Sequence, residues 1–193
     1  MNAMIYRKTL IYLIGCLLLG GCNANVKTSE EHLPKVLSEA KGDSFWRDQV
    51  QYAYAVDYAQ VKDKQGVDWE VAYQDVYWGK GDRESAETVV LIHGRCANMG
   101  YFSLLTRALA NEGIRVIAVD LPNYGKSLPG NLERPVERSL QSSRESVYKL
   151  LSETLKVKQF HLFGHSMGGQ WAVGYALTYA QSIKSLTLES PYG

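Results

Sequence analysis

Cysteine is scarce in this chain of 193 residues, and where the three cysteines fall excludes more than their number does. Cys16 and Cys22 lie in the first 22 residues, so Cys96 stands alone in the rest and no intrachain disulfide framework exists there. An excess of charge of either sign is lacking too. The 21 Lys and Arg against 20 Asp and Glu give a formal net charge of +1, with no clustered basic face. Electrostatic capture of phosphate needs such an excess, so nucleic acid is excluded as the expected partner. No apolar run reaches the roughly 20 residues that a membrane-spanning helix needs. No internal repeat or low-complexity tract is present, and no sequence feature calls for a metal or organic cofactor.

What is present is ordinary for one soluble globular domain: 46% hydrophobic and 21% charged residues. The N-terminus differs in kind. "MNAMIYRKTLIYLIGCLLLGGC" places Arg7 and Lys8 before an apolar run over residues 10–19, then small residues before Cys22. That is the layout of a secretory signal. Leu19-Gly20-Gly21-Cys22 also resembles the lipobox of bacterial lipoproteins, in which the cysteine is lipidated and becomes the mature N-terminus. Leu13-Ile14-Gly15-Cys16 fits the same pattern but would leave a very short apolar run, so Cys22 is preferred. An ordinary signal peptide or an uncleaved signal anchor are the alternatives. The resemblance implies a lipid anchor on Cys22 in a bacterial envelope membrane, and Asn23 after the cysteine implies the outer membrane; a secreted or periplasmic protein is the alternative. Residues 1–22 are thus read as signal, 23–44 as a polar tether with a short helix near 35–40, and 45–193 as the folded domain.

Along that domain, residues 50–62 ("VQYAYAVDYAQVK") and 67–79 ("VDWEVAYQDVYWG") are rich in aromatic and β-branched residues with partial alternation. They read as two antiparallel strands joined by the 63–66 turn. Four denser apolar runs follow: "TVVLIHG" (88–94), "RVIAVDLP" (115–122), "FHLFGHS" (160–166) and "SLTLESP" (185–191). Helix-length segments at 101–111, 136–156 and 167–182 separate them. Strand, helix, strand in repetition predicts an α/β fold: a mostly parallel sheet with helices on both faces and antiparallel strands at its N-terminal side.

Gly164-His165-Ser166-Met167-Gly168 matches G-x-S-x-G with a strand before it and a helix after it. The turn is tight enough to strain the serine backbone, which leaves no room for a Cβ at the flanking glycines and presents the serine Oγ at the sheet's carboxyl edge. With "LIHGRCAN" (91–98) and "VIAVDLPNYGKS" (116–127) at the expected order and spacing, the chain resembles the α/β-hydrolase family from about residue 50 onward. The resemblance implies Ser166 as nucleophile, and the backbone N–H groups of Arg95 and Met167 as the oxyanion hole. His93 and Gly94 would shape the oxyanion loop. It further implies an ester, thioester or amide substrate cleaved by acyl transfer, with no cofactor or metal. Asn123 replaces the glycine usual in the third motif, a mild departure because Asn tolerates positive φ.

Duller readings fit the neighbouring residues. His165 packs or lines substrate, Cys96 is expected to be a small buried residue, and Asp120 fixes its turn by hydrogen bonds to backbone.

In this family the triad follows chain order serine, acid, histidine, yet His32, His93, His161 and His165 all precede Ser166. By that resemblance the acid, the histidine and the C-terminal strands would lie beyond Gly193. Glu189 could act as orienting acid in a variant arrangement. Two readings stay open: the N-terminal portion of a serine hydrolase, or a non-catalytic envelope lipoprotein or decayed pseudoenzyme with a remnant pocket.

Overall fold

Continuous apolar runs are what a strand buried on both faces requires, and the three richest form the middle of the sheet. In the computed structural model, which describes residues 44–63, 66–129 and 139–192, these are β3 (Thr88–Ile92), β4 (Arg115–Val119) and β6 (Phe160–His165). The signal with Cys22, the tether up to residue 43, residues 64 and 65 of the expected turn and the first residues of the helix expected from 136 lie outside the described residues. β3 pairs in parallel with β4 on one side and β6 on the other, and β6 pairs in parallel with β7 (Ile183–Glu189). β1 (Asp57–Lys62) and β2 (Asp68–Val76) are antiparallel to each other, and β2 runs antiparallel to β4. The order is β1-β2-β4-β3-β6-β7, with a two-residue β5 (Leu128–Pro129) on β2.

Alternation along β3 sends Val90 and Ile92 to one face and Leu91 to the other. The first face is covered by α3 (Leu140–Lys149), its π-helical continuation Leu150–Thr154, and α4 (Met167–Thr178), through Val147, Leu150, Trp171 and Tyr175. The second is covered by a 3-10 turn (Met99–Phe102) that leads into α2 (Ser103–Asn111), with Met99 and Phe102 fully inside. Each fully buried Leu, Ile, Phe or Met contributes about 1.5–3 kcal/mol relative to exposure. Side-chain caps start these elements: Asn98 accepts from the Gly100 N–H at 2.9 Å, and Ser139 from the Ser142 N–H at 3.1 Å.

The α/β architecture expected from the sequence is the one observed, but two details differ. The segment 50–56 is not strand: Tyr52 and Tyr54 turn their hydroxyls inward, to the Asp120 carboxylate and the Ser103 carbonyl, each at 2.9 Å. A short helix, α1 (Phe45–Gln49), precedes it, capped by Ser44 and held by the Arg47 guanidinium donating twice to Glu70 at 2.9 and 2.6 Å.

One polar contact is buried at the sheet's far end. Arg115 at the start of β4 donates to both oxygens of Asp75 near the end of β2, at 2.9 and 2.7 Å, with both side chains almost fully covered. Removing one partner strands a buried charge, which costs about 3–5 kcal/mol. Asp75→Ala is therefore expected to lower the unfolding free energy by that order in urea titration. Arg83→Ala, which loses the contacts of a half-exposed guanidinium to Asp75 and Glu84, each at 3.5 Å, is expected to change it by less than about 1 kcal/mol.

Candidate active site

β6 ends at His165 and α4 begins at Met167, so the chain turns from strand to helix on the single residue Ser166. That residue sits at φ 53, ψ −119, a conformation that L-residues adopt only when their surroundings impose it. The surroundings are visible on both sides. A Cβ at Gly164 would land on the Gly168 carbonyl, and one at Gly168 would land on the carbonyls of Ile92 and His93. The helix thus packs its first turn directly on the ends of β3 and β6, and only glycine fits. Opposite, the Ser166 N–H donates to the Glu189 carbonyl at 3.0 Å, while the Ser166 carbonyl accepts from the N–H groups of Gly169 and Tyr192 at 2.9 and 3.0 Å. Pro191 closes on Gly169, where an added Cβ would meet it at 2.7 Å.

The loop after β3 passes over this turn. A Cβ on Gly94 would stand 3.0 Å from both the Ser166 Cβ and the His165 Nδ1. His93, fully buried, fixes the loop: its Nδ1–H donates to the Gly94 carbonyl at 2.7 Å, and its Nε2 accepts the Leu121 N–H at 3.1 Å. Burial is the main cause that pushes its pKa down to about 4, so the ring is neutral near neutral pH and both nitrogens are already engaged. Proton transfer is not its task.

Asp120, at the end of β4, gathers the neighbouring backbone. Its Oδ1 accepts from the Met99 N–H at 2.6 Å, and its Oδ2 from the Lys126 N–H at 2.8 Å and the Tyr52 O–H at 2.9 Å. Burial raises its pKa, and the three donors act against that rise. The turn it holds has Asn123 at φ 70, so the residue that departs from the family motif adopts the positive φ the motif demands. Lys126 stays by donating to the Trp46 and Arg47 carbonyls at 3.2 and 2.6 Å, with its ammonium 5.0 Å from the Tyr52 ring centre. α1 is thereby tied to the floor of the site.

Of the residues singled out from sequence, Ser166, Met167, His93, Gly94, Gly164 and Gly168 come together at one end of the parallel strands. Met167 occupies the first position of α4, where a backbone N–H has no acceptor within its own helix and the helix dipole favours negative charge. Arg95 is exposed on the loop beside Gly94.

Cys96 is a correction. It was expected to be buried, but it is exposed at φ 56, because the Ala97 N–H reaches back to the Gly94 carbonyl and the turn throws the cysteine outward. Glu189 serves through its main-chain carbonyl, and its side chain is exposed.

Three contacts had no sequence signal. Tyr101 stacks on the His165 ring at 4.7 Å, Tyr124 packs edge-on to His93 at 5.2 Å, and the Tyr124 hydroxyl donates to Met167 Sδ at 3.4 Å. Among the described residues no histidine is hydrogen-bonded to the Ser166 hydroxyl. His161 lies toward the other end of β6, between Ser185 and Glu87 at 2.7 and 3.1 Å. No cluster of metal-ligating side chains comes together among the described residues.

The state of His93 has a consequence for stability. Because its pKa is depressed in the folded state, its contribution is present above about 6.5, the ordinary histidine value, and is lost as pH falls towards 4, where the unfolded chain binds the proton first. Unfolding free energy is expected to decline over that window. In His93→Gln the decline should be shallower, read from urea midpoints at a series of pH values.

A strand-to-helix turn on a single serine at the carboxyl edge of a parallel sheet, under a loop pinned by a buried histidine, invites comparison with known proteins. The model of the alpha/beta hydrolase fold matches residues 87–192. A 2-hydroxy-6-oxononadienedioate/2-hydroxy-6-oxononatrienedioate hydrolase from Paraburkholderia phymatum is 37% identical over 126 residues, 64% of this chain and 40% of that protein. Its counterpart from Escherichia coli is 34% identical over 113 residues, 57% of this chain and 36% of that protein. The chain therefore spans about 40% or less of the length of these curated relatives. Among solved structures, a probable hydrolytic enzyme from Pseudomonas aeruginosa aligns with a TM-score of 0.67 at 35% identity, over 77% of this chain and 45% of that one. An esterase from Exiguobacterium antarcticum aligns with 0.55 at 27% identity, over 69% of this chain and 45% of that one. The match covers more than half of the sequence, includes the serine turn, and agrees with the observed topology: the chain belongs to the alpha/beta hydrolase fold family.

Proposed function

We propose that this chain carries the nucleophile and oxyanion elements of a serine hydrolase that works by acyl transfer. The observation that carries the reading is Ser166 at φ 53, ψ −119, the only residue between β6 and α4. In this reading the Ser166 Oγ attacks an ester, thioester or amide carbonyl, the N–H groups of Arg95 and Met167 hold the oxyanion, and water releases the acyl group. Each such donor is worth about 2.7–4 kcal/mol in the transition state. In family order the acid and the base follow the serine. The Leu19-Gly20-Gly21-Cys22 stretch supports a lipid anchor on Cys22 and attachment to an envelope membrane, with the outer membrane preferred.

A second reading, a non-catalytic envelope lipoprotein with a remnant pocket, is favoured by one observation: the three described histidines are stacked, pinned or paired away from the Ser166 hydroxyl. Labelling with a fluorophosphonate, followed by peptide mass spectrometry, separates the two. The hydrolase reading expects a Ser166 adduct that is absent from Ser166→Ala. Wild-type chain that is folded by circular dichroism and yet unlabelled would leave the binding-only reading. The anchor is tested separately: metabolic labelling with palmitate is expected in the wild type and lost in Cys22→Ser.

A further inference from the structure

Toward the other end of β6 and α4, two cavities share a wall made of Val157 and Lys158. The first has a volume of about 410 Å³ and is mainly apolar and aromatic, walled by Phe160, Leu151, Tyr175 and the stacked pair Tyr148 and Tyr179, whose rings are 4.1 Å apart and inclined by 9°. The second, about 350 Å³, is bordered by four cations and one carboxylate: Arg115, Lys156, Lys158, Lys184 and Glu84. Arg115 is neutralised by Asp75, and Lys184 by Glu87. Lys156 and Lys158 have no ion-pair partner among the described residues. An apolar chamber in the size range of small-molecule sites thus opens beside two uncompensated positive charges.

The local backbone is unusual as well. Leu151 and Ser152 reach the chamber from the π-helical turn Leu150–Thr154, a rare conformation that occurs often at functional sites. Lys156 follows at φ 55, which ends the helix and sends the chain past Val157 into β6. Tyr175 is buried with its hydroxyl beside the Ser182 side chain, whose own hydroxyl donates to the Tyr179 carbonyl at 2.8 Å.

We propose that the two cavities form one binding site for an aromatic monocarboxylate, with its ring among Tyr148, Tyr179 and Phe160 and its carboxylate between Lys158 and Lys156. Charge decides the occupant: the apolar walls alone would accept any small hydrophobe, and the unpaired Lys158 of the shared wall, with Lys156 in the second cavity, selects an anion. The site is separate from the serine turn, at the opposite end of α4, and it does not depend on Ser166 being a nucleophile.

The test is equilibrium titration of the full chain, and of Ser166→Ala, with 2-naphthoate and with its neutral analogue 2-naphthol, followed by probe fluorescence at low salt. Saturable binding is expected in both proteins, with naphthoate the tighter probe by about fivefold to tenfold, an advantage that shrinks as salt rises. Lys158→Glu is expected to remove the naphthoate advantage and leave naphthol within about twofold. Tyr148→Ala, which removes half of the aromatic ledge, is expected to weaken both probes. Equal affinity for the two probes, undiminished naphthoate binding in Lys158→Glu, or no saturation with either probe would overturn the proposal. Lys158 is exposed, so its substitution leaves the core intact, and unchanged circular dichroism separates lost binding from lost fold.

Discussion

A strand-to-helix reversal on one residue is the constraint from which the rest of the site follows. Compressing the turn onto Ser166 brings the first turn of α4 against the carbonyl ends of β3 and β6, and that contact has no space for side chains at positions 164 and 168. The cost of the left-handed serine, of order 1–3 kcal/mol for such a conformation, has to be met by neighbours that hold it from every side. They are the β3 carbonyls beneath, the Glu189 carbonyl and Tyr192 N–H alongside, and the Gly94 loop above. The sheet order serves this end, since β6 lies between the strand that supplies the loop and the strand that supplies the lateral hydrogen bonds.

Around that turn, polar groups act as fasteners between segments far apart in sequence. His93 joins the loop after β3 to Leu121, two residues past β4, and Asp120 joins the same two regions again while recruiting Tyr52 from the N-terminal segment. Ser127 repeats the device on a smaller scale, donating to the Asp120 carbonyl at 2.6 Å and accepting from the Ala72 N–H at 2.8 Å. Each fastener is buried and hydrogen-bonded on more than one side, the arrangement in which an interior polar group adds rigidity without leaving an unpaired charge.

The sequence made legible whatever local chemistry dictates. The glycines around Ser166 disclose the turn because no other residue fits, and the runs of β3 and β4 disclose central strands because a strand covered on both faces has no polar side to show. Asn123 could be read as a positive-φ residue for the same local reason. What stayed hidden depends on partners distant in the chain. The alternating aromatics of residues 50–56 look like strand, but their hydroxyls are claimed by Asp120 and by the Ser103 carbonyl. α1 is a five-residue helix that exists through Arg47 and its contact with Glu70. Cys96 was misplaced because burial was inferred from residue type, whereas the turn geometry of its loop decides it.

β7 has a single neighbour among the described residues, and Leu186 and Leu188 on it are more than a third exposed. The same strand and the residues just after it supply both lateral hydrogen bonds to the Ser166 backbone. The conformation at Ser166 is thus completed by chain that follows it in sequence: the serine backbone has both lateral partners only once β7 lies beside β6.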